Sequence, residues 1–331
     1  MLNDWWIIVF AAGWDYLIAD PWHWPHPVQG MGWVIGRSQS LIFKLPAGWP
    51  QKLAGVVLGL GLMAGMGALG GVIAQLATDL HPLLGNVLGV VLVASCFAGR
   101  SLRFAALDVL EPLAVGDLAQ ARQQLSHYVG RDTEKLEPEE IYRAVLETIA
   151  ENTTDGVTAP LFYSFLGVWL GVGPLPLALA YKAASTLDSM IGYRREPFRD
   201  LGWFSAQFED VLTWLPCRLT VLSVAMAAPG RIAARQILAI CQRDARQDPS
   251  PNSGWSECAY AAALGVQLGG MNTYRGELRP KPLLGNAQRP ITPGVIEEAL
   301  GLMRSLFLSW LILGGVITGL IYLVTGLGAL A

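Results

Sequence analysis

The chain has 331 residues, 53% of them hydrophobic and only 15% charged, with a mean hydropathy of +0.40 and a formal net charge of −3. Soluble domains carry about 25% charged residues, so this composition excludes an ordinary soluble protein. The near-neutral balance gives no basis for a nucleic-acid partner. The four cysteines, Cys96, Cys217, Cys241 and Cys258, lack C-x-x-C spacing and suggest neither a disulfide framework nor a zinc site.

The charge deficit is concentrated in segments. No Asp, Glu, Lys or Arg lies between Lys52 and Asp79, between Asp79 and Arg100, between Asp155 and Lys182, or after Arg304. A membrane-spanning helix needs ~20 apolar residues, and these windows are near or above that length. The expected fold class is therefore all-α. The expected protein is a polytopic, integral membrane one whose polar helical and loop segments form a site at the membrane surface. It reads as a single domain over 1–331, with apolar segments at about 5–18, 53–77, 82–99, 158–181, 211–229 and 305–329. The polar segments are 19–52, 100–157, 182–210 and 230–304.

Residues 5–18 read as a short membrane helix. Asp4 replaces the basic start of a signal peptide, and no small-residue cleavage site follows. Residues 19–52 read as a loop rich in Pro and Trp. Asp20 and His26 are site candidates there; His23 fits better in an interfacial belt beside tryptophan. The connector 78–82 has no Lys or Arg while the flanking loops do, which puts the connector outside and the flanks in the cytoplasm. Gly65, Gly67 and Gly70 form a GxGxxG pattern, but inside a membrane helix and not after a strand. Gly55/Gly59, Gly61/Gly65 and Gly67/Gly71 instead have the four-residue spacing of close helix packing.

In the polar segment that follows, Asp117 is placed to cap a helix at 118–128, and Pro138 suits the first turn of another at about 139–152. Ile141, Val145 and Ile149 give the second helix an apolar face. Glu147, Glu151 and Asp155 repeat every four residues and would converge on one face. Residues 156–181 are broken by Gly171, Gly173, Pro174 and Pro176, which predicts two short helices meeting at a bend. Whether they form a kinked span or a hairpin stays open. Residues 211–229 are interrupted by Pro216 and Arg218, 231–304 read as a long basic-leaning loop, and a last membrane helix spans 305–329.

Five polar clusters carry candidate chemistry. Beside Asp20 and His26 stand Gly130-Arg131-Asp132-Thr133, the Glu151-Asn152-Thr153-Thr154-Asp155 run, and Lys182 to Tyr193. The last is Arg243-Asp244 with Asp248-Pro-Ser250-Pro-Asn252. Carboxylates at a membrane edge can hold Mg²⁺ together with phosphate oxygens. Arg matches phosphate in a bidentate fork. Each cluster also has a plain structural reading: caps and turns for Asp132, Ser250 and Asn252, helix termination for Glu151–Asp155, snorkelling for Lys182, and a buried ion pair for Arg218 with Asp210.

Taken together these motifs resemble the CobD/CbiB family, the membrane-bound adenosylcobinamide-phosphate synthases of cobalamin biosynthesis. The likeness runs in order through Asp20-Pro21, Pro25-His26-Pro27-Val28, Gly130 to Thr133, Glu151-Asn152, Asp155-Gly156 and Ala159 to Phe162. It continues through Lys182, Thr186 to Met190, Gly192-Tyr193, Pro216, Arg218, Arg243-Asp244, Ser250 to Asn252 and Gly254. Ser185, Glu209-Asp210 and Asp248 depart from what the family usually carries. The resemblance implies an ATP-dependent ligase. It would join a propionate carboxylate of adenosylcobyric acid to aminopropanol phosphate, or to ethanolamine phosphate, through an acyl phosphate. It implies metal ligands Glu151, Asp155 and Asp188, with Lys182, Arg131 and Arg243 on phosphates. Ser250, Asn252 and Tyr193 would orient substrate, with Asp132, Asn152, Thr186, Ser189, Arg218 and Asp244 also in the substrate site. Asp20 or His26 would be the base. The cofactors would be ATP and Mg²⁺; the partners would be the corrinoid, the amino-alcohol phosphate, membrane lipids and other cobalamin-pathway enzymes. The protein would sit in the inner membrane with its site facing the cytoplasm. A catalytically silent sensor, regulator or scaffold of the same family is the alternative, and should have lost the acids and the lysine that this chain keeps.

Overall fold

The computed structural model describes residues 4–18, 26–228 and 232–325. The described residues form fourteen α-helices and one two-stranded hairpin. In order, the first helices are α1 (Asp4–Leu17), α2 (Pro27–Ile42), α3 (Trp49–Leu80), α4 (Pro82–Ala94), α5 (Gly99–Ala114), α6 (Leu118–Ser126) and α7 (Pro138–Asn152). A π-helical turn, Thr153–Thr158, precedes α8 (Ala159–Trp169). Then come α9 (Pro174–Ile191), α10 (Phe198–Leu201), α11 (Trp203–Ala227), α12 (Ala234–Asp244) and α13 (Ser253–Leu264). The antiparallel strands β1 (Gln267–Tyr274) and β2 (Glu277–Gly285) and the final α14 (Pro293–Thr325) complete the chain.

Among the described residues three helices, α3, α11 and α14, are long and apolar enough to cross a membrane; there are four if α4 with α5 counts as one broken span. Their outward faces are apolar, with Leu53, Val57, Leu60, Leu69, Val72 and Leu76 exposed along α3, as expected where lipid and not water is the solvent. At 14 residues α1 is shorter than a full crossing. The chain is a helical polytopic membrane protein. Where the sequence read as one domain, the contacts divide it into two compact units: 1–98 with 159–213 and 310–331, and 99–158 with 214–309.

In the first unit α9 packs on α2, α3, α4 and α8. The bend predicted within 156–181 is there, and it is a hairpin. The Gly173 carbonyl lies where a Cβ on Gly167 would stand, and Tyr163 stacks on Tyr181 with centroids 4.9 Å apart. The glycine spacing of α3 has the packing meaning expected of it at two pairs. A Cβ at Gly55 would strike the Leu201 carbonyl, one at Gly59 would meet Phe204 at 2.7 Å, and one at Gly67 would sit 3.1 Å from the Pro176 carbonyl. Gly61 and Gly65 face open space, so the middle pair is not a packing site.

In the second unit α7 packs on α5, α6 and α13, while α13 and α12 hold the β-hairpin. Asp117 caps α6 by accepting from Gln120 N–H, and Pro138 opens α7 behind a capping box of Glu137 and Glu140, both as read from the sequence. The apolar face of α7 is buried at Ile141, Val145 and Ile149.

Two loop readings are overturned. Residues 19–52 contain α2 and the start of α3; the glycines and prolines obscured a face of Met31, Ile35 and Ile42 that packs inward. Residues 230–304 contain α12, α13, the hairpin and the first turns of α14. α13 is buried along almost its whole length, so its sequence has no polar face to set a helical period. The hairpin is hidden by Pro280 and Pro282 inside β2, but its turn, Arg275-Gly276, has φ of 55° and 79°, the positive-φ pair of a tight hairpin. The α11 helix begins at Trp203, eight residues before the apolar segment read at 211–229, and continues through Pro216.

Candidate functional site

In the second unit a set of charged side chains gathers around α7. Glu147, buried, accepts hydrogen bonds from Arg131, from Arg143 at 3.3 Å and from Gly269 N–H at 3.0 Å. Arg131 and Arg143 also both donate to the Asn272 side-chain oxygen at 3.0 Å, and Arg143 donates to the Gly269 carbonyl at 2.6 Å. This is the bulge of the hairpin, between Leu268 and Gly270, where the strand leaves regular register and frees its backbone for side chains. Burial alone would raise the Glu147 carboxyl, but Arg131, with Lys281 and Arg143, holds it below its ordinary value.

Beside it Lys281 donates to both oxygens of Glu257 at 2.7 Å. Glu257 is fully buried in α13, and its carboxyl is pushed well up by burial and by Glu147 and Glu151, against the pull of Lys281. Lys281 remains charged: burial opposes the ammonium, but the three carboxylates outweigh it and raise its pKa. An ammonium has three N–H donors, so the pair with Glu257 leaves one for another acceptor.

Glu151, one turn along α7 from Glu147, differs from both neighbours. It is half-buried, and no hydrogen bond or ion pair holds its carboxylate among the described residues. Burial raises it, Asp248 and Glu147 add to that, and Lys281 and Arg131 counter it. Asp248 accepts from Ser250 N–H at 2.9 Å, while its other oxygen is buried without a partner. The Asn272 side-chain nitrogen and the Thr154 hydroxyl are likewise buried and unsatisfied.

Several sequence candidates in this unit are occupied by structural work. Asp132 accepts from Arg275 N–H at 2.8 Å and Gly276 N–H at 2.7 Å, and those two bonds lower its pKa; it closes the hairpin turn. Arg243 is paired with Asp244 through two bonds at 2.6 and 2.7 Å and also donates to Asn286; Asp244 in turn takes Gly285 N–H at 3.0 Å. Ser250 Oγ accepts from the backbone of Asn252 and Ser253, which caps α13. Asn152 donates to the Thr148 carbonyl at 2.9 Å. Arg218 donates to Asn252 Oδ1 at 2.9 Å and lies between two indoles, 5.0 Å from Trp214 and 4.8 Å from Trp255, a cation–π clamp. That bond pairs Arg218 with Asn252, where the sequence suggested Asp210. The one-face expectation holds for Glu147 and Glu151. The π turn intervenes before Asp155, whose field acts on Cys217.

The first unit carries the other candidates, most of them on or just beyond α9. Thr186 donates to the Lys182 carbonyl at 2.7 Å, Ser189 to the Thr186 carbonyl at 3.0 Å, and Tyr193 to the Ser189 carbonyl at 2.9 Å. Asp188 sits against Gly192, where any Cβ would collide with its carboxyl. Lys182 is half-buried and has no ion pair among the described residues. His26 caps α2: its Nδ1 accepts Val28 N–H at 3.2 Å. Asp20 lies outside the described residues. No group of three or more His, Cys, Asp or Glu side chains converges on a metal position among the described residues. Glu151 and Asp155 belong to one unit and Asp188 to the other. The four cysteines Cys96, Cys217, Cys241 and Cys258 are free and buried.

Against this geometry the comparisons are specific. The family described as CobD/Cbib protein matches residues 8–303. The chain belongs to the CobD/CbiB family. It is 53% identical over 302 residues to "Cobalamin biosynthesis protein CobD" of Synechocystis sp., covering 91% of this chain and 87% of that one. It is 44% identical over 301 residues to "Cobalamin biosynthesis protein CbiB" of Salmonella arizonae, covering 90% and 92%. It is 41% identical over 320 residues to "Cobalamin biosynthesis protein CobD" of Halalkalibacterium halodurans, covering 96% and 98%. No solved structure matches. The family places the chain in cobalamin biosynthesis.

Sequence reasoning gave no role to Lys281, Arg143 or the indoles around Arg218. A lysine set between Pro280 and Pro282, and a glutamate heading the small, apolar run Cys258 to Ala263, were the available signals. Both are charges in places where burial otherwise excludes them.

Proposed function

We propose that the chain is an ATP-dependent amide ligase that joins a propionate carboxylate of adenosylcobyric acid to (R)-1-aminopropan-2-ol phosphate, or to ethanolamine phosphate, giving adenosylcobinamide phosphate. The observation that carries this reading is the Glu151 carboxylate. It has no hydrogen bond or ion pair among the described residues, yet Lys281 and Arg131 act on it. A carboxylate left unpaired in a desolvated setting is a group kept for a ligand.

The substrate carboxylate attacks the γ-phosphorus of ATP and ADP leaves, giving an acyl phosphate. The amine attacks its carbonyl carbon, and inorganic phosphate leaves with one carboxylate oxygen. A proton goes from the amine to a base. Mg²⁺ takes one or two carboxylates and completes its shell with phosphate oxygens and water, so Glu151 with Asp155 suits a nucleotide-borne ion without a three-carboxylate cage. Bound there, it would neutralise charge on the triphosphate. Lys182 is the cation of α9 open to a phosphate. In the Lys281 pair one ammonium donor remains for an anion. His26 would accept the amine proton at Nε2, since Nδ1 is engaged by Val28. Because Arg131 and Arg243 are tied to Glu147 and Asp244, their part is to hold those carboxylates before any phosphate. ATP as co-substrate puts the site on the cytoplasmic side of the inner membrane.

The test is product formation by the detergent-purified full chain given adenosylcobyric acid, ATP, Mg²⁺ and each amino-alcohol phosphate, followed by mass spectrometry. A corrinoid mass gain equal to amide formation, dependent on ATP, supports the ligase and identifies the amine. An intact, corrinoid-binding protein without product would move the reading to a regulator or scaffold.

A further inference from the structure

From Pro21 to Thr78 the chain contains no Asp or Glu, yet it carries Arg37, Lys44 and Lys52. The three cations have different surroundings. Lys52 is paired with the buried Asp200 at 3.7 Å and lies over the Trp203 ring at 5.9 Å. Arg37 and Lys44 are exposed, and their side chains make no ion pair, hydrogen bond or cation–π contact among the described residues. Along α2 and the turn after it they are interleaved with large exposed apolar groups. Trp33 is 72% exposed, Leu41 55%, Leu45 42%, and Trp49, at the first position of α3, 80%. The opposite face, Met31, Ile35 and Ile42, is buried against the unit that contains α9 and α3.

In water this arrangement leaves two indoles and two leucines uncovered beside unpaired cations. At a bilayer surface each part has a partner. Indole favours the headgroup level, a helix with apolar and basic groups interleaved lies in the interface plane, and basic side chains there are drawn to acidic lipid. The chain itself sets the depth: Trp49 opens α3, one of the membrane-spanning helices, so the face ends where the chain enters the bilayer.

We infer that the Trp33–Arg37–Leu41–Lys44–Leu45–Trp49 face is an acidic-phospholipid binding surface, with the indoles at headgroup depth and Arg37 and Lys44 on lipid phosphates. The face is independent of the ligase reading and would serve any activity of the chain by fixing its first unit to an anionic leaflet.

The experiment is native mass spectrometry of the full chain in detergent, titrated with phosphatidylglycerol or phosphatidylcholine. Attraction at the surface is worth a factor of about five for each basic residue. The double variant R37Q/K44Q should therefore bind phosphatidylglycerol about 25-fold more weakly, with phosphatidylcholine binding and the unfolding midpoint unchanged. W33S/W49S should weaken both lipids. Equal phosphatidylglycerol affinity in wild type and R37Q/K44Q overturns the inference, as does a wild type that binds the two lipids equally.

Discussion

Around α7, most charges answer a side chain from another element: Glu147 takes Arg131 and the hairpin bulge, and Glu257 takes Lys281 from β2. On α9 the hydroxyls of Thr186 and Ser189 answer their own helix, donating to carbonyls four and three residues back, and Lys182 makes no ion pair among the described residues. The two regions look alike as sequence, both being dense polar runs beside apolar segments. Their hydrogen bonds separate side chains tied to other elements from side chains tied to their own helix. Glu151 is the exception in the first region, an unpaired acid inside a network of paired ones.

The largest effect should come from breaking a pair in that network. Removing one partner of a buried ion pair costs about 3–5 kcal/mol, so E257A should lower the unfolding midpoint strongly in detergent, and E257A/K281M should recover part of the loss. On α9 the comparison predicts the reverse. K182A should leave the midpoint unchanged and reduce ligase turnover by about 10²–10³-fold, the effect of losing one preorganised charge on a developing anion. If K182A instead destabilises the protein with activity per folded molecule intact, the distinction between the regions fails.

Glu151 gives a sharper test because its sign differs from that of Glu147. The Glu147 pKa is depressed, so its stabilisation is present above the unfolded value, near 4.5, and is lost as pH falls through the folded value. The Glu151 pKa is raised, so its contribution is present below 4.5 and is lost as pH rises through the folded value. E151Q should therefore raise the midpoint at neutral pH by about 2 °C while abolishing activity, a stability–activity trade. Thermal melts from pH 4 to 8 check it: E151Q should lose the alkaline fall that wild type shows.

The smallest effects lie in α3. G55A should cost about 1–3 kcal/mol because its Cβ would strike the Leu201 carbonyl, whereas G61A, facing open space, should be neutral or up to about 1 kcal/mol stabilising from helix propensity. Melts of the two variants separate them.

The long apolar helices, the cap at Asp117, Pro138 at the start of α7 and the break within 156–181 were legible because each depends on local chemistry: run length, a capping carboxylate, a proline; that the break is a hairpin was not. The hairpin bulge at Gly269 and the Glu257–Lys281 pair were not, since both join residues far apart in sequence through burial that no window reveals. The π turn at Thr153–Thr158 hid similarly, because its register shift follows from packing around Thr153, Tyr260, Thr158 and Thr220. Of the site candidates, the sequence could not say that Arg131, Asp132, Arg243 and Ser250 are already engaged by protein partners.

The most direct measurement of the proposed chemistry uses adenosylcobyric acid labelled with ¹⁸O at the reacting carboxylate, incubated with the full chain, ATP, Mg²⁺ and aminopropanol phosphate. Passage through an acyl phosphate transfers one labelled oxygen to inorganic phosphate for each amide formed. Amide formation with the label found in AMP, or in neither phosphate product, would contradict the account.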